Sequence, residues 1–440
     1  MVQKPSFKDA FKFWLKLGFI SFGGPAGQIA IMHEFLVDKK KWISDKKFLH
    51  ALNYCMLLPG PEAQQLATYI GWLLHGVKGG LTAGLLFILP SVFILLGLSV
   101  VYIEFGKIPW VYALFDGLKP AVIAIVILAF IKIGKKSLHN NIHYLLAILS
   151  FVAIFFFHIA FPIIILSTIL IAIVLKYTSP RLFQSSNKTA GKNDNEEGYY
   201  LTTNSVIPHT GFNLIRLLKQ IGVFILLWST PLILFYICAP SEFPFWKQLS
   251  LFFTQAAFIT FGGAYAVLPY VAQKAVDSFH WLTNLEMIDG LALGESTPGP
   301  LIMVLVFVGF MAGYSNSGNL LFPATVGLFV TTFYTFLPSF LFIFAGAPII
   351  EKTQNNYFVK DILNFVTAAI AGLVLNLTIF FGQAVIFGVD DYHLIRLNHI
   401  NYINLGWIII SFIAMYRFKT GMIPWIGISA LFGLVVYLID

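Results

Sequence analysis

Two sequences that interrupt helices occur twice in this chain with the same spacing. Residues 19–24 read FISFGG and residues 258–263 read FITFGG, while the tripeptide PGP occupies residues 59–61 and 298–300. In both cases the second copy follows the first by about 239 residues, which indicates a duplicated unit. Helix breaks at matching places in two apolar halves are the sequence pattern that best predicts a transporter's binding site.

The glycine pairs predict an anion site. A helix that starts again after a break presents free backbone N–H groups with a partial charge of about half a proton, and glycine lets a ligand approach the backbone closely. An oxyanion is the natural ligand of such a helix start. The hydroxyl two residues before each glycine pair can add a hydrogen bond. The predicted anion ligands are Ser21, Gly23, Gly24, Thr260, Gly262 and Gly263.

The PGP tripeptides are predicted to bring two further breaks to the same place. A proline suits the first turn of a returning half-helix, where its missing N–H costs nothing. The alternative is that all four breaks only permit tight packing or sharp turns; their recurrence at one spacing favours the binding site. The residues added to the predicted site are Pro59, Gly60, Pro61, Pro298, Gly299 and Pro300, with Gln64 as a further hydrogen-bond donor.

Three ionisable residues lie within apolar segments. A charged side chain is costly inside a membrane, so these residues are candidates for binding a proton or the anion. Glu62 and Glu295 are predicted to bind and release a proton during transport, with helix capping or polar contacts between helices as the alternative. Lys119 either attracts the anion or forms an ion pair with Asp116, one turn earlier. The ion pair is favoured because Asn364 replaces the aspartate in the second copy.

The composition requires an integral membrane protein. The chain of 440 residues is 58% hydrophobic and only 11% charged, whereas soluble domains carry roughly 25% charged residues. The apolar runs are continuous and often about twenty residues long, which predicts helices and not a β-barrel. The predicted fold class is therefore an all-α polytopic bundle.

The chain divides into two repeats joined by one additional helix. The predicted divisions are a first transmembrane repeat at 1–177, a polar cytoplasmic linker at 178–212, a connecting transmembrane helix at 213–240 and a second repeat at 241–440. If each repeat has the same even number of crossings, the connecting helix inverts the second repeat. Inverted repeats with broken helices are the architecture expected for alternating access.

The distribution of lysines predicts the orientation. Five lysines lie between Lys39 and Lys47, and short loops rich in lysine stay in the cytoplasm. The broken segments are therefore predicted to be re-entrant hairpins; the alternative is that they cross the membrane fully, which would place these five lysines outside. In both cases the N-terminus is in the cytoplasm and the C-terminus is outside. The net charge of +8 has the same explanation, so no nucleic-acid partner is expected. The expected partners are the lipid bilayer and an oxyanion, and a homodimer is compatible with the sequence.

Motifs for other chemistry are absent. The sequence contains no GxxxxGK[ST], HExxH, GxSxG or CxxC, so neither ATP-driven transport nor catalysis is predicted. The two cysteines have no metal-ligand spacing. The chain is expected to be neither an enzyme nor a protein with a metal or cofactor.

The motifs resemble the chromate ion transporter family in its long two-domain form. The residues that carry the resemblance are FGGP at 22–25, Trp42, LPGPEAQQLA at 58–67 and ESTPGP at 295–300. The resemblance implies a protein of the cytoplasmic membrane that exports chromate and confers chromate resistance. Sulfate has the same tetrahedral shape, so a sulfate or other oxyanion carrier remains an alternative. An anion channel or a membrane-embedded enzyme or scaffold would differ in mechanism.

Overall fold

The computed structural model describes residues 4–178, 196–203, 205, 211, 213–261, 263–350, 357–388 and 400–439. These residues are almost entirely helical. The helices are α1 (Phe7–Ile20), α2 (Gly24–His33), α3 (Asp45–Cys55), α4 (Glu62–Phe105), α5 (Pro109–Ser137), α6 (Asn141–Phe155), α7 (Phe161–Thr178), α8 (Leu214–Cys238), α9 (Phe243–Ile259), α10 (Ala264–Ala272), α11 (Asn284–Ser296), α12 (Val304–Asn316), α13 (Leu321–Ile350), α14 (Tyr357–Phe387), α15 (Tyr402–Tyr416) and α16 (Met422–Ile439).

Long apolar helices confirm the predicted helical membrane fold. Seven helices of the described chain are long and apolar enough to cross a membrane, and three shorter apolar segments accompany them. Capping residues mark where several shorter helices begin. Ser6 caps α1 by accepting a hydrogen bond from the Asp9 N–H, and Thr283 forms a reciprocal capping box with Glu286 at the start of α11. Side-chain oxygens at these positions satisfy N–H groups that have no partner within the helix.

The first break in each repeat reverses the chain direction. The rings of Phe13 on α1 and Phe35, just after α2, stack with centroids 4.0 Å apart. A continuous helix would separate these residues by about 33 Å, so α1 and α2 form a helical hairpin. The second repeat does the same, because Phe252 on α9 contacts Tyr270 on α10 at 5.4 Å and Phe279 at 5.3 Å.

The second break in each repeat forms another hairpin. Tyr54 at the end of α3 contacts Tyr69 on α4 at 5.4 Å. The long helix α4 is itself interrupted at Gly76, whose φ is 64°. Residues 62–74 therefore return toward the start of α3, and residues 77–105 then cross the membrane. In the second repeat, α11 packs closely on the segment that follows it, since a Cβ on Gly290 would lie 2.2 Å from the Phe307 ring.

The two repeats exchange packing partners. The first-repeat helix α5 packs against α15 and α16 of the second repeat, and α14 of the second repeat packs against α6 and α7 of the first. Helices α5 and α14 also contact each other. This reciprocal arrangement is what an inverted repeat produces around a pseudo-two-fold axis.

Small residues allow α5 and α16 to approach closely, which yields a testable prediction. A Cβ on Gly433 would lie 2.1 Å from the Ala113 carbonyl oxygen and 2.7 Å from the Gly117 Cα. We expect Gly433→Ala to destabilise the protein by about 1–3 kcal/mol through overpacking, seen as a lower midpoint of thermal unfolding. Gly427→Ala on the same helix is the matched control, because a Cβ there meets no atom within 4 Å. Equal stability of the two variants would contradict this packing.

Part of the predicted linker binds the first repeat. Leu201 is 2% exposed and pairs with Ile43 in a short parallel bridge. The Glu196 carboxylate accepts hydrogen bonds from the Ser44 hydroxyl at 2.9 Å and the Thr203 hydroxyl at 2.6 Å. Partial burial acts to raise the pKa of Glu196, but these hydrogen bonds outweigh it and leave the pKa below its usual value. The contribution of Glu196 is therefore present at neutral pH and is lost as the pH falls through that lowered pKa.

Candidate functional site

The four breaks meet through two reciprocal backbone hydrogen bonds. The Gly60 N–H donates to the Thr260 carbonyl oxygen at 2.7 Å, and the Gly299 N–H donates to the Ser21 carbonyl oxygen at 2.7 Å. Each PGP tripeptide thus binds the glycine break of the other repeat. We call this meeting point the crossing and define it by residues 21–24, 59–61, 260–261, 263 and 298–300. A broken helix leaves backbone N–H and C=O groups without partners, which is costly in lipid. Here each break supplies hydrogen-bond partners for the backbone groups of another break.

Glycine is required in both PGP tripeptides by conformation and by space. Gly60 and Gly299 have φ values of 123° and 96°, which other residues rarely adopt. A Cβ on Gly60 would lie 2.6 Å from the Ser339 hydroxyl oxygen, and one on Gly299 would lie 1.9 Å from the Ser91 hydroxyl oxygen. The Ser91 hydroxyl also donates to the Pro298 carbonyl oxygen. Residues 87–91 read FILPS and residues 335–339 read TFLPS, and this weak match between the two halves places one serine at each crossing glycine.

Two buried glutamines hold the breaks in place. The Gln28 amide donates to the Ser21 carbonyl oxygen at 3.2 Å and to the Gly299 carbonyl oxygen. The Gln65 amide donates to the Pro59 carbonyl oxygen at 2.7 Å. The side-chain oxygens of both glutamines are buried without a hydrogen-bond partner, so each keeps an unused acceptor.

The hydroxyl groups predicted to bind the anion donate elsewhere. The Ser21 hydroxyl donates to the Leu17 carbonyl oxygen at 2.6 Å, and the Thr260 hydroxyl donates to the Ala256 carbonyl oxygen at 2.5 Å. A hydroxyl has one hydrogen to donate, so neither side chain has a free donor in this conformation. Both residues contribute to the crossing through their backbone carbonyl groups.

Empty space borders the glycine pairs and not the PGP tripeptides. A Cβ on Gly24 or Gly263 would meet no atom within 4 Å, and one on Gly23 would meet only the Gly27 Cα at 3.9 Å. These positions lie at the starts of α2 and α10. The predicted residue Gly262 lies outside the described residues. Room beside a helix start is the geometry that an anion site needs.

The two glycine breaks differ in accessibility. Gly24 is partly exposed, whereas Gly263, which occupies the matching position in the second repeat, is buried. The second break is followed by a side-chain contact that the first lacks, because the Tyr265 hydroxyl donates to the Glu295 carboxylate at 2.5 Å. The position in the first repeat that matches this tyrosine is Ala26, which is too small to reach an equivalent acid.

The two predicted proton carriers occupy different positions in their hairpins. Glu62 is the first residue of α4 and is buried. The positive charges of Lys136 and Lys132 on α5 act on its carboxylate. Glu295 lies at the end of α11, also buried, against Tyr265. The nearby Gln64 amide donates to the Thr68 hydroxyl at 3.1 Å and contributes no direct contact to the breaks among the described hydrogen bonds.

Lys119 forms the ion pair that the sequence favoured. Its ammonium group lies 3.1 Å from the Asp116 carboxylate and 5.0 Å from the centre of the Tyr112 ring. Any anion that approaches Lys119 must therefore compete with a carboxylate already present.

Both repeats match the sequence profile of one known family. The sequence profile described as "Chromate transporter" matches residues 8–175 and 247–434, one segment in each repeat. The chain belongs to the chromate transporter family. The two matched segments contain both copies of the glycine break and both PGP tripeptides, so the crossing lies in the part of the chain that defines the family.

Relatives within the chromate transporter family extend over most of the chain. An uncharacterized transporter of Methanocaldococcus jannaschii is 26% identical over 99% of this chain and 95% of its own length. A chromate transport protein of Pseudomonas aeruginosa is 28% identical over 86% of this chain and 82% of its own. One of Cupriavidus metallidurans is 27% identical over 82% and 79%, respectively. No solved structure matches the chain.

Several residues around the site were not predicted from the sequence. Ser91 and Ser339 gave only a weak repeat signal, and their position against the crossing glycines depends on the packing of α4 and α13. Tyr265 and Asp289 gave no signal beyond being polar residues in an apolar segment. A comparison of the two repeats position by position could have found Tyr265, because the matching residue is alanine.

Proposed function

We propose that this protein is a secondary transporter that exports chromate, a divalent tetrahedral oxyanion, across the cytoplasmic membrane and so confers chromate resistance. Membership of the chromate transporter family and the relatives named chromate transport proteins support the substrate. The observation that carries the proposal is the empty space beside Gly24 and Gly263 at two helix starts within the crossing.

The anion is held mainly by backbone groups. The first turns of α2 and α10 present N–H groups toward the breaks, and their helix dipoles add partial positive charge. Pro25 has no N–H, so the free donors in the first turn of α2 are those of Gly24 and Ala26. The glutamine and serine contacts around the PGP tripeptides keep these helix starts in position. The hydroxyls of Ser21 and Thr260 serve the backbone instead of the anion.

Alternating access follows from the inverted repeats. The partly exposed Gly24 and the buried Gly263 occupy matching positions, and this difference supports one open and one closed entrance. Because the hairpins of the two repeats enter from opposite sides, opening one and closing the other moves the accessible site across the membrane. The N-terminus and the lysines of residues 39–47 lie in the cytoplasm, and the C-terminus lies outside.

The membrane potential supports export of a dianion. Moving one elementary charge through the potential is worth about 2.3 kcal/mol per 100 mV, so a doubly charged anion leaves a negative interior favourably. Glu62 and Glu295 are the carboxyls closest to the breaks that could carry a proton with it.

The apolar surface of α8, none of whose residues is buried, is available to lipid or to a second copy in a homodimer.

A sulfate or other oxyanion carrier is the second candidate. Backbone N–H groups recognise oxygen atoms and charge, and they do not distinguish the central atom of a tetrahedral anion. The described crossing contains no side chain that would favour chromium over sulfur. Chromate would then be carried because it resembles the physiological substrate.

Uptake of labelled anions into everted vesicles tests the proposal. We expect saturable uptake of chromate that requires this protein, with weaker competition by sulfate. Equal or stronger handling of sulfate would favour the general oxyanion carrier. Flux that neither saturates nor shows counterflow would indicate a channel, and vesicles with correctly inserted protein but no uptake of either anion would overturn the transport assignment.

A further inference from the structure

A long groove between α4, α8 and α13 is apolar along nearly its whole length. Its volume is about 910 Å³. Of the described residues that line it, only Arg216, Lys219, Gln220 and Thr332 are polar. We call it the α8 groove and define it by the lining segments 77–89, 216–231 and 329–344. An apolar surface of this size indicates a site for an apolar ligand.

The residues of α8 that face the groove follow one side of the helix. They are three or four positions apart, from Arg216 and Lys219 through Val223 and Leu227 to Pro231, which is the spacing of a single helix face. Helix α8 packs against α9 and α13, yet none of its residues is buried. In the described part of the chain, this face is therefore open to the membrane.

Helix α8 runs antiparallel to α9. Near the joint between the two helices, the rings of Phe235 and Trp246 stack with centroids 4.7 Å apart. One step away from the joint, the Trp228 indole N–H donates to the Thr254 hydroxyl at 3.0 Å. Contacts that move backward along α8 thus move forward along α9, so the start of α8 lies beside the end of α9.

Helix α9 runs parallel to α13. The Tyr334 hydroxyl of α13 donates to the Trp228 carbonyl oxygen at 2.8 Å, and Trp228 also contacts Thr254 of α9. Further along both helices, Phe258 of α9 contacts Phe342 of α13 with ring centroids 5.4 Å apart. The end of α9, and with it the start of α8, therefore lies beside the end of α13.

Three basic side chains lie at this end of the groove. Arg216 and Lys219 are exposed on the first turns of α8. The crossing segment of α4 begins at the same end, because a Cβ on Gly80 would lie 2.6 Å from the ring of Phe344. Lys78 is exposed there. The three helices contain no Asp or Glu over residues 77–89, 214–238 and 321–348. The charge on the walls of the groove is thus positive only, and it is confined to one end.

We propose that the α8 groove binds one anionic phospholipid of the cytoplasmic leaflet, with its headgroup phosphate at Arg216 and Lys219 and its acyl chains against the apolar walls. The Arg216 guanidinium donates to the Gly211 carbonyl oxygen at 3.4 Å, and with five N–H donors it can bind a phosphate at the same time. The site goes beyond the proposed transport function and does not depend on which anion is carried.

The length and the orientation of the groove fit a phospholipid. Arg216 and Pro231 are about 22 Å apart along α8, whereas the hydrocarbon of one leaflet is about 15 Å thick. An acyl chain that starts below Arg216 is therefore accommodated in full. In the proposed orientation α8 begins on the cytoplasmic side, where anionic lipids attract basic side chains at the membrane surface.

A second copy of the chain suits the groove less well. A two-fold axis perpendicular to the membrane would place Arg216 and Lys219 of both copies at the same depth. If two grooves faced each other, like charges would therefore approach, whereas a lipid phosphate brings the opposite charge.

Lipid binding to the detergent-purified protein tests the site. Native mass spectrometry gives the affinities for phosphatidylglycerol and for phosphatidylcholine with identical oleoyl chains. We expect one phosphatidylglycerol to bind at least about tenfold more tightly, because each basic side chain near the membrane surface contributes about fivefold. Glycerol 3-phosphate, which has a phosphate but no acyl chain, is not expected to displace it. A phosphatidylglycerol with a photoreactive diazirine in its acyl chain is expected to label the three lining segments.

Removal of the two charges tests the headgroup contact. Arg216→Gln/Lys219→Gln is expected to lower the affinity for phosphatidylglycerol at least about tenfold and to leave that for phosphatidylcholine unchanged. The matched control is Lys8→Gln/Lys12→Gln on α1, which removes two exposed basic side chains that do not line the groove. Helix α1 begins at the same end, since Phe7 contacts His75 at 5.5 Å. Wild-type affinities are expected for this control.

A bulky side chain tests the acyl-chain contact independently of charge. Val223 and Ile225 on α8 are 55% and 54% exposed, but only Val223 lines the groove. Two residues apart, they lie on opposite sides of the helix. Val223→Trp is expected to weaken binding of both lipids, and Ile225→Trp is expected to bind them like the wild type. This pair also tests the site if the charge variant folds poorly.

Four results would overturn the lipid site. The first is equal affinity of the wild type for the two phospholipids. The second is wild-type binding by both Arg216→Gln/Lys219→Gln and Val223→Trp. Displacement of the lipid by glycerol 3-phosphate would indicate a site for a free phosphate. A lipid-free dimer that Val223→Trp dissociates would assign the groove to a second copy. None of these results changes the expected uptake of chromate or sulfate, so the proposed function is tested separately.

Discussion

Replacing Gly24 with leucine is expected to reduce anion uptake at least about 100-fold while the protein still folds and inserts. The position has a φ of 67°, which costs a non-glycine residue about 1–2 kcal/mol. A Cβ there meets no atom within 4 Å, so the side chain does not disrupt packing. It fills the space beside the start of α2 and screens the N–H groups from the anion. Initial uptake rates in everted vesicles, normalised to inserted protein, measure the effect.

Two controls separate the filled site from general damage. Gly24→Ala imposes the same backbone strain but leaves most of the space, so it is expected to retain much more uptake than the leucine variant. Gly222→Leu on α8 adds the same bulk at an exposed position where a Cβ meets nothing within 4 Å, and wild-type uptake is expected. If Gly24→Leu transports chromate and sulfate like the wild type, the anion does not bind at this break.

Replacing Gly299 with alanine is expected to prevent folding, whereas Gly24→Leu is expected to reduce uptake in a protein that still folds. The added Cβ would lie 1.9 Å from the Ser91 hydroxyl oxygen at a φ of 96°. Relief requires loss of the Ser91 hydrogen bond to Pro298 or movement of the Gly299 N–H from Ser21. Backbone strain and lost contacts together are expected to cost at least about 3 kcal/mol. The readout is the yield of monodisperse protein and its thermal unfolding midpoint.

A second substitution makes the cause of this loss testable. Ser91→Ala removes the atom that clashes most, and the remaining serine Cβ lies 3.1 Å from the added group. The double variant Ser91→Ala/Gly299→Ala is therefore expected to recover part of the stability lost in Gly299→Ala. Gly97→Ala on α4, where a Cβ meets nothing within 4 Å, is the control and is expected to be neutral or slightly stabilising. A stable Gly299→Ala protein, or a double variant no better than the single one, would contradict the described crossing.

Gly24 and Gly299 have different roles, which the equal spacing of the two kinds of break did not reveal. Both kinds of break repeat at the same interval and both were predicted to line the anion site. In the structure the PGP glycines lie against serine hydroxyls of α4 and α13, whereas Gly24 and Gly263 border empty space. The first kind builds the crossing and the second kind leaves room for a ligand.

The ionisable residues show where sequence reasoning ended. Lys119 and Asp116 are one turn apart on a helix, so their ion pair was predictable from spacing. Asp289 gave no such signal, because its partner Tyr102 on α4 is far from it along the chain. The hydroxyls of Ser21 and Thr260 were predicted as free donors, but a hydroxyl within a helix commonly donates to the carbonyl four residues earlier.

The amino-acid sequence by itself determined that this chain is a helical membrane protein with a duplicated, broken-helix unit. Hydrophobicity and helix-breaking glycines and prolines are local properties, so they could be recognised residue by residue. The tertiary structure alone decided that each PGP tripeptide pairs with the other repeat, that Gly24 and Gly263 keep open space, and that Asp289 meets Tyr102. These features depend on contacts between residues far apart in the chain, and only the packing of one repeat against the other produces them.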